Sequence, residues 1–400
     1  MTWTKDERHA VAASYLGWTL DAFDFFVLTF VLTDLSAQFQ VPIPQIALAL
    51  TYTLALRPVG AFIFGRLADR YGRKPIFAIN IALYSLFGAL TAFAPSLTAF
   101  YLIRSLFGVA MGGIWGVGAS LAMETIAPAK RGIVSGLMQA GYPSGYLFAA
   151  LAFGVLYPMW GWRGLFLIGP VPAVFLIFYI MAAVKESPGW SVAEAGAAST
   201  FRVLADHWRI ALFGILLMTS FTFFSHGTQD IYPTFLRAQH HFDTATVSAI
   251  AITYNIGAIL GGLVFGSISQ KLGRRRAIIS AALLAIPVTA LWAFSTTALM
   301  LGIGAFVMQF FVQGAWGVVP AHLNELSPRA ARGTFAGTVY QLGNLIASTN
   351  ATLQPEIAEK MGGNYSVALA SVAIGAALAI SLVVWLGPEA RDIAMSKRHT

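Results

Sequence analysis

Of the 400 residues, 57% are hydrophobic and only 10% are charged, and 25 Lys and Arg against 17 Asp and Glu give a net charge of +8. A water-facing surface normally carries roughly a quarter to a third charged residues, so the composition excludes a soluble domain and indicates an integral membrane protein. The absence of cysteine excludes disulfides and thiolate metal sites, and no metal or cofactor is expected.

Apolar runs long enough to cross a hydrocarbon core of about 30 Å fall at about 11–33, 44–66, 76–94, 98–122, 132–156 and 165–184, then at about 209–232, 245–269, 277–294, 298–321, 333–353 and 366–387. These are predicted helices 1 to 12. Lipid offers no partner to backbone N–H and C=O groups, and runs this continuous lack the alternation of a barrel strand. The expected fold is therefore an all-α membrane protein of twelve transmembrane helices. The expected division is 1–184 and 209–400 as two six-helix bundles, with 185–208 as a linker between them. Within that linker, Val203-Leu204 and Trp208 read as a surface amphipathic turn.

Helix 1 carries Asp21 and Asp24, three apart and so on one helix face. Its length and acids, with no small-residue cleavage site, mark it as a retained span and not a signal peptide. Helix 2 places Arg57 near its middle. The loop after it runs Gly65-Arg66-Leu67-Ala68-Asp69-Arg70-Tyr71-Gly72-Arg73-Lys74. Helix 4 contributes Arg104, Gly108, Gly112 and Gly116, whose glycines are spaced for close helix packing. Helix 5 adds Gln139 and Tyr142. Helix 7 holds the densest polar stripe, with Ser225, His226, Thr228, Gln229 and Asp230, followed by Pro233 as a possible outer hinge. Helix 10 has Gln309 and Gln313, and helix 11 has Tyr340, Gln341, Asn344 and Asn350.

The loop motif returns 201 residues later as Gly266 to Arg275, and the offset also relates Gly60 to Gly261, Trp115 to Trp316, Glu124 to Glu325 and Arg131 to Arg332. The chain is a duplicated half. Twenty of the 25 Lys and Arg lie in loops on the amino-terminal side, three (Arg163, Arg237 and Lys360) on the opposite side, and Arg57 and Arg104 within spans. By the positive-inside rule both termini are cytoplasmic, and the net charge is a topology signal with no nucleic-acid patch to invoke.

Gly65-x-Leu67-Ala68-Asp69-Arg70-x-Gly72-Arg73-Lys74 resembles the signature loop of the major facilitator superfamily. In a membrane chain, two parallel six-span repeats meeting at a midplane cavity describe an alternating-access transporter. Helix 7, through Ser225, His226, Thr228, Gln229, Asp230 and Thr234, resembles the hallmark of the Jen-type lactate/pyruvate permeases grouped with the sialate:proton symporters. That hallmark opens with Asn where this chain has Thr222. Asp21-Ala22-Phe23-Asp24-Phe25-Phe26 and Arg57-Pro58-Val59-Gly60 are similar to the same family, and Arg104-Ser105-Leu106-Phe107-Gly108 resembles the helix 4 motif of proton-coupled members.

The resemblance implies a proton-coupled importer of small monocarboxylates, and the short loops and absence of extensions fit a bacterial inner membrane as the expected location. Its partners would be a small carboxylate, a proton and the bilayer, and a monomer suffices for this fold. An ionisable group within a span is a candidate functional group by default. Arg57, whose planar fork suits a carboxylate, is the expected anion site, the alternative being a structural salt bridge to Asp21 or Asp24. His226, Gln229, Tyr340, Gln341, Asn344 and Tyr142 complete the expected substrate contacts. If both helix 1 acids face the cavity, mutual repulsion and burial favour a protonated one; Asp24 is the expected carrier, with Asp21, Asp230 and His226 as rivals. Asp69, Arg70, Arg73, Lys74, Arg104, Glu124, Arg131, Glu325 and Arg332 are the expected gate, the alternatives being a static topology anchor for the loop cations and snorkelling for Arg104. Gln270, in place of Asp69 in the second copy, makes the expected gate asymmetric. Sialate or dicarboxylate transport and a non-transporting nutrient sensor are the competing functions. An enzyme is not supported, because no Gly-x-Ser-x-Gly, His-Glu-x-x-His or phosphate-binding glycine loop occurs.

Overall fold

The computed structural model describes residues 3–41, 43–190, 205–229, 232, 235–236, 239–328, 332–348 and 350–389. Ten helices among them are long and apolar enough to cross a membrane. Helices 1 to 4 span Lys5–Phe30, Ile43–Tyr71, Arg73–Thr91 and Leu97–Thr125. Helix 5 starts as Arg131–Gln139 and continues into Gly141–Ile168, a run broken at Gly161, where φ is 62° and the chain turns back as helix 6, completed by Pro170–Ala183. Helices 7 to 9 span Trp208–Gln229, Thr244–Leu272 and Arg274–Phe294. Helix 10 is Ala298–Trp316 with Val319–Leu326, helix 11 is Arg332–Ala347 with Asn350–Lys360, and helix 12 is Tyr365–Leu386. The expected spans 132–156 and 333–353 are thus each met by two consecutive helices, one reason that they do not count among the ten. Val203 and Leu204 lie outside the described residues.

Helices before Ala183 pack chiefly on one another, as do those from Trp208 onward, and helix 11 crosses to helices 2 and 4 while helix 5 meets helix 8. Glycine sets the closest approaches. A Cβ on Gly108 or Gly112 of helix 4 would stand 2.2 and 2.0 Å from the carbonyl oxygens of Thr53 and Arg57. Helices 2 and 4 therefore touch backbone to backbone around Arg57, which fixes the height of that side chain in the bundle. Between halves, a Cβ on Gly136 of helix 5 would stand 2.2 Å from the Gly262 carbonyl of helix 8.

One end of the molecule collects the charged groups and is called the basic end below. Thr4 and Glu7 cap helix 1 there reciprocally, and Lys130 reaches Glu7 at 2.7 Å. At the two motif turns Gly72 and Gly273 have φ of 107° and 97°, a region that favours glycine.

Candidate functional site

A cavity of about 300 Å³ lies between the halves, lined by Trp18, Thr51, Leu54, Ala55, Arg57, Gln139, Tyr142, Thr222, Ser225, His226, Gln313, Trp316, Tyr340, Asn344, Leu345, Ala347, Ser348 and Asn350. Five of the expected substrate contacts are brought together here: Arg57, His226, Tyr340, Asn344 and Tyr142. Gln229 and Gln341 are not among the lining residues. The Gln229 amide turns to helix 10 and donates to Gln309 Oε1 at 2.8 Å. Gln341, fully buried, accepts from Asn344 Nδ2 at 2.9 Å and so holds the Asn344 amide, whose oxygen takes the Thr222 hydroxyl at 2.6 Å. Thr222, where the family hallmark has Asn, is therefore a cavity residue wired to helix 11. Asp230, Pro233 and Thr234 lie outside the described residues.

Arg57 is the one permanent cation among the described lining residues. It is 4% exposed, its Nη2 stands 3.9 Å from Asp21 Oδ2, and its Nε and Nη2 have no hydrogen-bond partner. Asp21 is fully buried, and both of its carboxylate oxygens also lack a hydrogen bond. The two charges face each other without closing into the bidentate geometry that Arg and carboxylate prefer. The guanidinium retains donors for a second carboxylate.

Asp24 does not share that position. It is 4% exposed and packed inside the amino-terminal half, where a Cβ on Gly88 or Gly169 would stand 3.6 and 2.2 Å from its carboxylate oxygens. Its electrostatic counterpart is Arg104. Three residues on a helix leave two side chains about 60° apart, so both acids share one flank of helix 1, Asp21 facing Arg57 and Asp24 facing Gly88 and Gly169, and neither is among the residues that line the cavity. Arg104 does not snorkel and does not join the gate. It is fully buried over the Phe107 ring, 4.0 Å from its centroid, with all three guanidinium nitrogens free of hydrogen bonds.

Aromatic rings close the cavity toward the basic end. Trp115 stacks on Tyr340 with centroids 4.5 Å apart, Trp316 meets the same ring edge-on at 5.8 Å, and Trp115 Nε1 donates to Gln139 Oε1 at 3.3 Å. Trp18, stacked on Tyr142 at 5.5 Å, has a buried indole N–H without a partner. Sequence reasoning missed Trp18, since one tryptophan in a chain of 13% aromatics gives no signal of its own.

Beyond these rings the halves are bonded together at the basic end. Arg131 Nη1 lies 3.7 Å from Glu325 Oε1, Ser120 Oγ donates to Asn324 Oδ1 at 3.1 Å, and the Ala321 amide donates to Ser135 Oγ at 3.0 Å. Gln270 accepts from the Gly132 amide across the interface at 3.3 Å and from Arg274 Nη2 at 3.1 Å. Arg274 in turn donates to both oxygens of Glu325 at 3.0 and 2.9 Å. In the amino-terminal copy, Arg73 pairs with Asp69 at 2.7 Å and with Glu124 at 3.4 Å. Lys74 donates to the Met181 carbonyl at 2.9 Å, and Arg70 lies over the Tyr71 ring at 5.2 Å instead of joining the cluster. Arg332 begins helix 11, and its side chain is outside the described residues. Two further acids were missed. Glu186 accepts from the Arg73 and Lys74 amides and Glu389 from the Arg274 and Arg275 amides, so each neutralises the amino-terminal end of a motif helix. Their signal was an acid just beyond the last span of each half.

Two helical bundles that enclose a polar cavity between them, sealed at one end by ion pairs, define a multi-pass membrane transporter. The Major Facilitator Superfamily model matches residues 15–229 and the Sugar (and other) transporter model residues 204–399. The chain belongs to the major facilitator superfamily, a family of transporters and not of enzymes. It is 30% identical over 374 residues to a carboxylic acid transporter protein homolog of Saccharomyces cerevisiae, covering 86% of this chain but 60% of that one. It is 26% identical over 387 residues to the sialic acid transporter NanX of Escherichia coli, covering 95% and 94% of the two chains. Its fold is like that of the proton:xylose symporter XylE, with a TM-score of 0.74 at 15% identity over 97% of this chain and 98% of that one.

Proposed function

We propose that this protein is a proton-coupled symporter that imports small monocarboxylates, lactate and pyruvate foremost, by alternating access across an inner membrane, with the basic end cytoplasmic. The observation that carries the reading is Arg57: a buried guanidinium in the interhalf cavity with hydrogen-bonding capacity left over beside Asp21. One permanent cation among the described lining residues matches one carboxylate better than two. The name of the yeast relative supports an organic acid, and helix 7 supports the three-carbon class.

In this reading the anion displaces Asp21 as the partner of Arg57, and a proton taken up by Asp21 or Asp24 keeps the loaded cavity neutral. Asp24, opposite Arg104, is the second carboxylate able to hold that proton, and His226 on the cavity wall is the rival carrier. One anion with one proton moves no net charge. The Arg131–Glu325 pair and the helix 5–helix 8 glycine contact then have to part before release at the basic end.

The test is uptake of radiolabelled L-lactate into proteoliposomes under an imposed inward proton gradient, with Arg57→Gln, Asp24→Asn and His226→Ala beside the intact protein. Gradient-driven uptake that is lost in the Arg57 variant and uncoupled from the gradient in an acid or His variant is the expected result. Strong uptake indifferent to the gradient removes the coupling, and absence of lactate or pyruvate uptake by folded protein removes the substrate class. The cavity volume favours a second reading, since about 300 Å³ exceeds what a three-carbon acid fills. Neutral donors such as Gln139, Gln313 and Asn350 suit a larger hydroxylated monocarboxylate such as sialate. Competition of unlabelled sialate against lactate separates the two.

A further inference from the structure

Outside the interhalf cavity, a groove of about 760 Å³ opens at the basic end between the ends of helices 8, 9 and 12, lined by Lys271, Leu272, Gly273, Arg275, Arg276, Ile279, Trp385 and Glu389. Three cations share it with one carboxylate, and that carboxylate is directed at the backbone amides of Arg274 and Arg275. Arg275 bends back to the final carbonyls of helix 12, donating through Nε to Val384 O at 2.9 Å and through Nη2 to Trp385 O. Arg276 is exposed on the groove wall. Beside these cations, Trp385 is 65% exposed, Leu386 71% and Leu272 40%. On a membrane protein such outward apolar side chains face lipid, so the groove straddles the boundary between hydrocarbon and headgroups, where tryptophan also concentrates.

The duplicated half offers an internal control. At the 201-residue offset Arg276 corresponds to Pro75 and Trp385 to Val184, a proline and a buried valine. The fold alone therefore requires neither the extra cation nor the exposed indole, and both occur on the same groove of one half only.

We propose that this groove binds the phosphate headgroup of an anionic phospholipid, with exposed Arg276 meeting the phosphate, Lys271 and Arg275 adding positive charge beside it, and Trp385, Leu272 and Leu386 against the acyl chains. A free phosphate would meet the same cations but would leave the adjoining apolar wall unused. Residues 390–400 carry Arg391, Lys397 and Arg398 against Asp392, a positive charge of the same sign as the groove. Cations beside a membrane surface contribute about 1 kcal/mol each toward anionic lipid, which is about fivefold in affinity.

Native mass spectrometry of the full-length protein titrated with phosphatidylglycerol, and with phosphatidylcholine of the same acyl chains, tests the assignment. Retention of phosphatidylglycerol over phosphatidylcholine is expected. Arg276→Gln is expected to weaken it about fivefold and Arg276→Glu about 25-fold, while Lys360→Gln at the opposite end leaves it unchanged. Arg276 is exposed, and a monodisperse size-exclusion peak verifies that its variants fold. Equal retention of the two lipids, unchanged binding in both Arg276 variants, or displacement of the lipid by equimolar inorganic phosphate would each overturn the proposal.

Discussion

Replacing Arg57 separates an anion site from a structural salt bridge, because its one close acidic neighbour has no other support. Asp21 is fully buried with both oxygens lacking hydrogen bonds, and the guanidinium 3.9 Å away is its nearest compensating charge. Removing one member of a buried pair typically costs about 3–5 kcal/mol, because the other is left as an uncompensated ion. Arg57→Gln is therefore expected to lower thermal stability markedly, and Asp21→Asn added to it is expected to restore most of the loss. Substrate binding follows different arithmetic. Two charge-assisted hydrogen bonds to a carboxylate, each worth about 1.5–3 kcal/mol, are missing in both variants, so a loss of at least about 3 kcal/mol, or roughly 150-fold, persists in the double variant. Differential scanning fluorimetry reads the first quantity, and equilibrium binding of labelled lactate by scintillation proximity reads the second. If Asp21→Asn/Arg57→Gln recovers both stability and binding, Arg57 is a structural cation and the anion site lies elsewhere.

Arg131→Gln removes the interhalf pair while Glu325 keeps its two bonds to Arg274. A loss of about 1–2 kcal/mol from the closed arrangement corresponds to roughly five- to thirtyfold in its population relative to the open one. Because the native chain has no cysteine, a single Val134→Cys reporter on helix 5, buried at this interface, should be labelled by maleimide faster by a similar factor; an unchanged rate would deny the pair a gating role. Gly72→Ala forces an L side chain to φ 107° and brings its Cβ to 2.4 Å from Glu186 Oε2. A cost of about 1–3 kcal/mol is expected from backbone strain, visible as a lower melting temperature, and an unaltered one would refute the requirement for glycine. In the loop before helix 8, burial and then neighbouring His241 hold the His240 imidazole below its ordinary pKa, and its Nε2 lacks a partner between Phe235 and Phe242. The folded state thus binds the proton less well than the unfolded chain, so this contribution to stability is complete above about pH 6.5 and is lost as the pH falls toward the folded value. His240→Phe should flatten the melting temperature between pH 8 and pH 5, and an identical slope in the variant would count against it.

Much of this architecture was legible before any coordinates, for reasons specific to a membrane chain. Backbone groups in lipid must bond within their own helix, so hydropathy locates the spans. The 201-residue offset pairs Glu124 with Glu325 and Trp115 with Trp316 without any structure. An ion within a span is too costly to be incidental, and that singled out Arg57, which does line the cavity. Side-chain direction was less legible. Gln229 and Gln341 lie on polar stripes next to cavity residues, yet one turns to Gln309 and the other backs Asn344.

That the chain is a duplicated helical membrane protein, which groups are buried ions and where the motif turns fall can all be read along the chain, because these depend on local periodicity and transfer free energy. Which ion meets which follows from the packing of the helices. Asp21 and Asp24 are three residues apart and share one helix flank, yet the neighbours packed against that flank give one Arg57 and the other Arg104. Gln270 looked like the absence of a charge and instead bridges Arg274 to the opposite half. Such choices depend on how close neighbouring helices come, and here that distance is set by glycine contacts such as Gly112 on Arg57 and Gly136 on Gly262, pairings between residues far apart in sequence that no local pattern encodes.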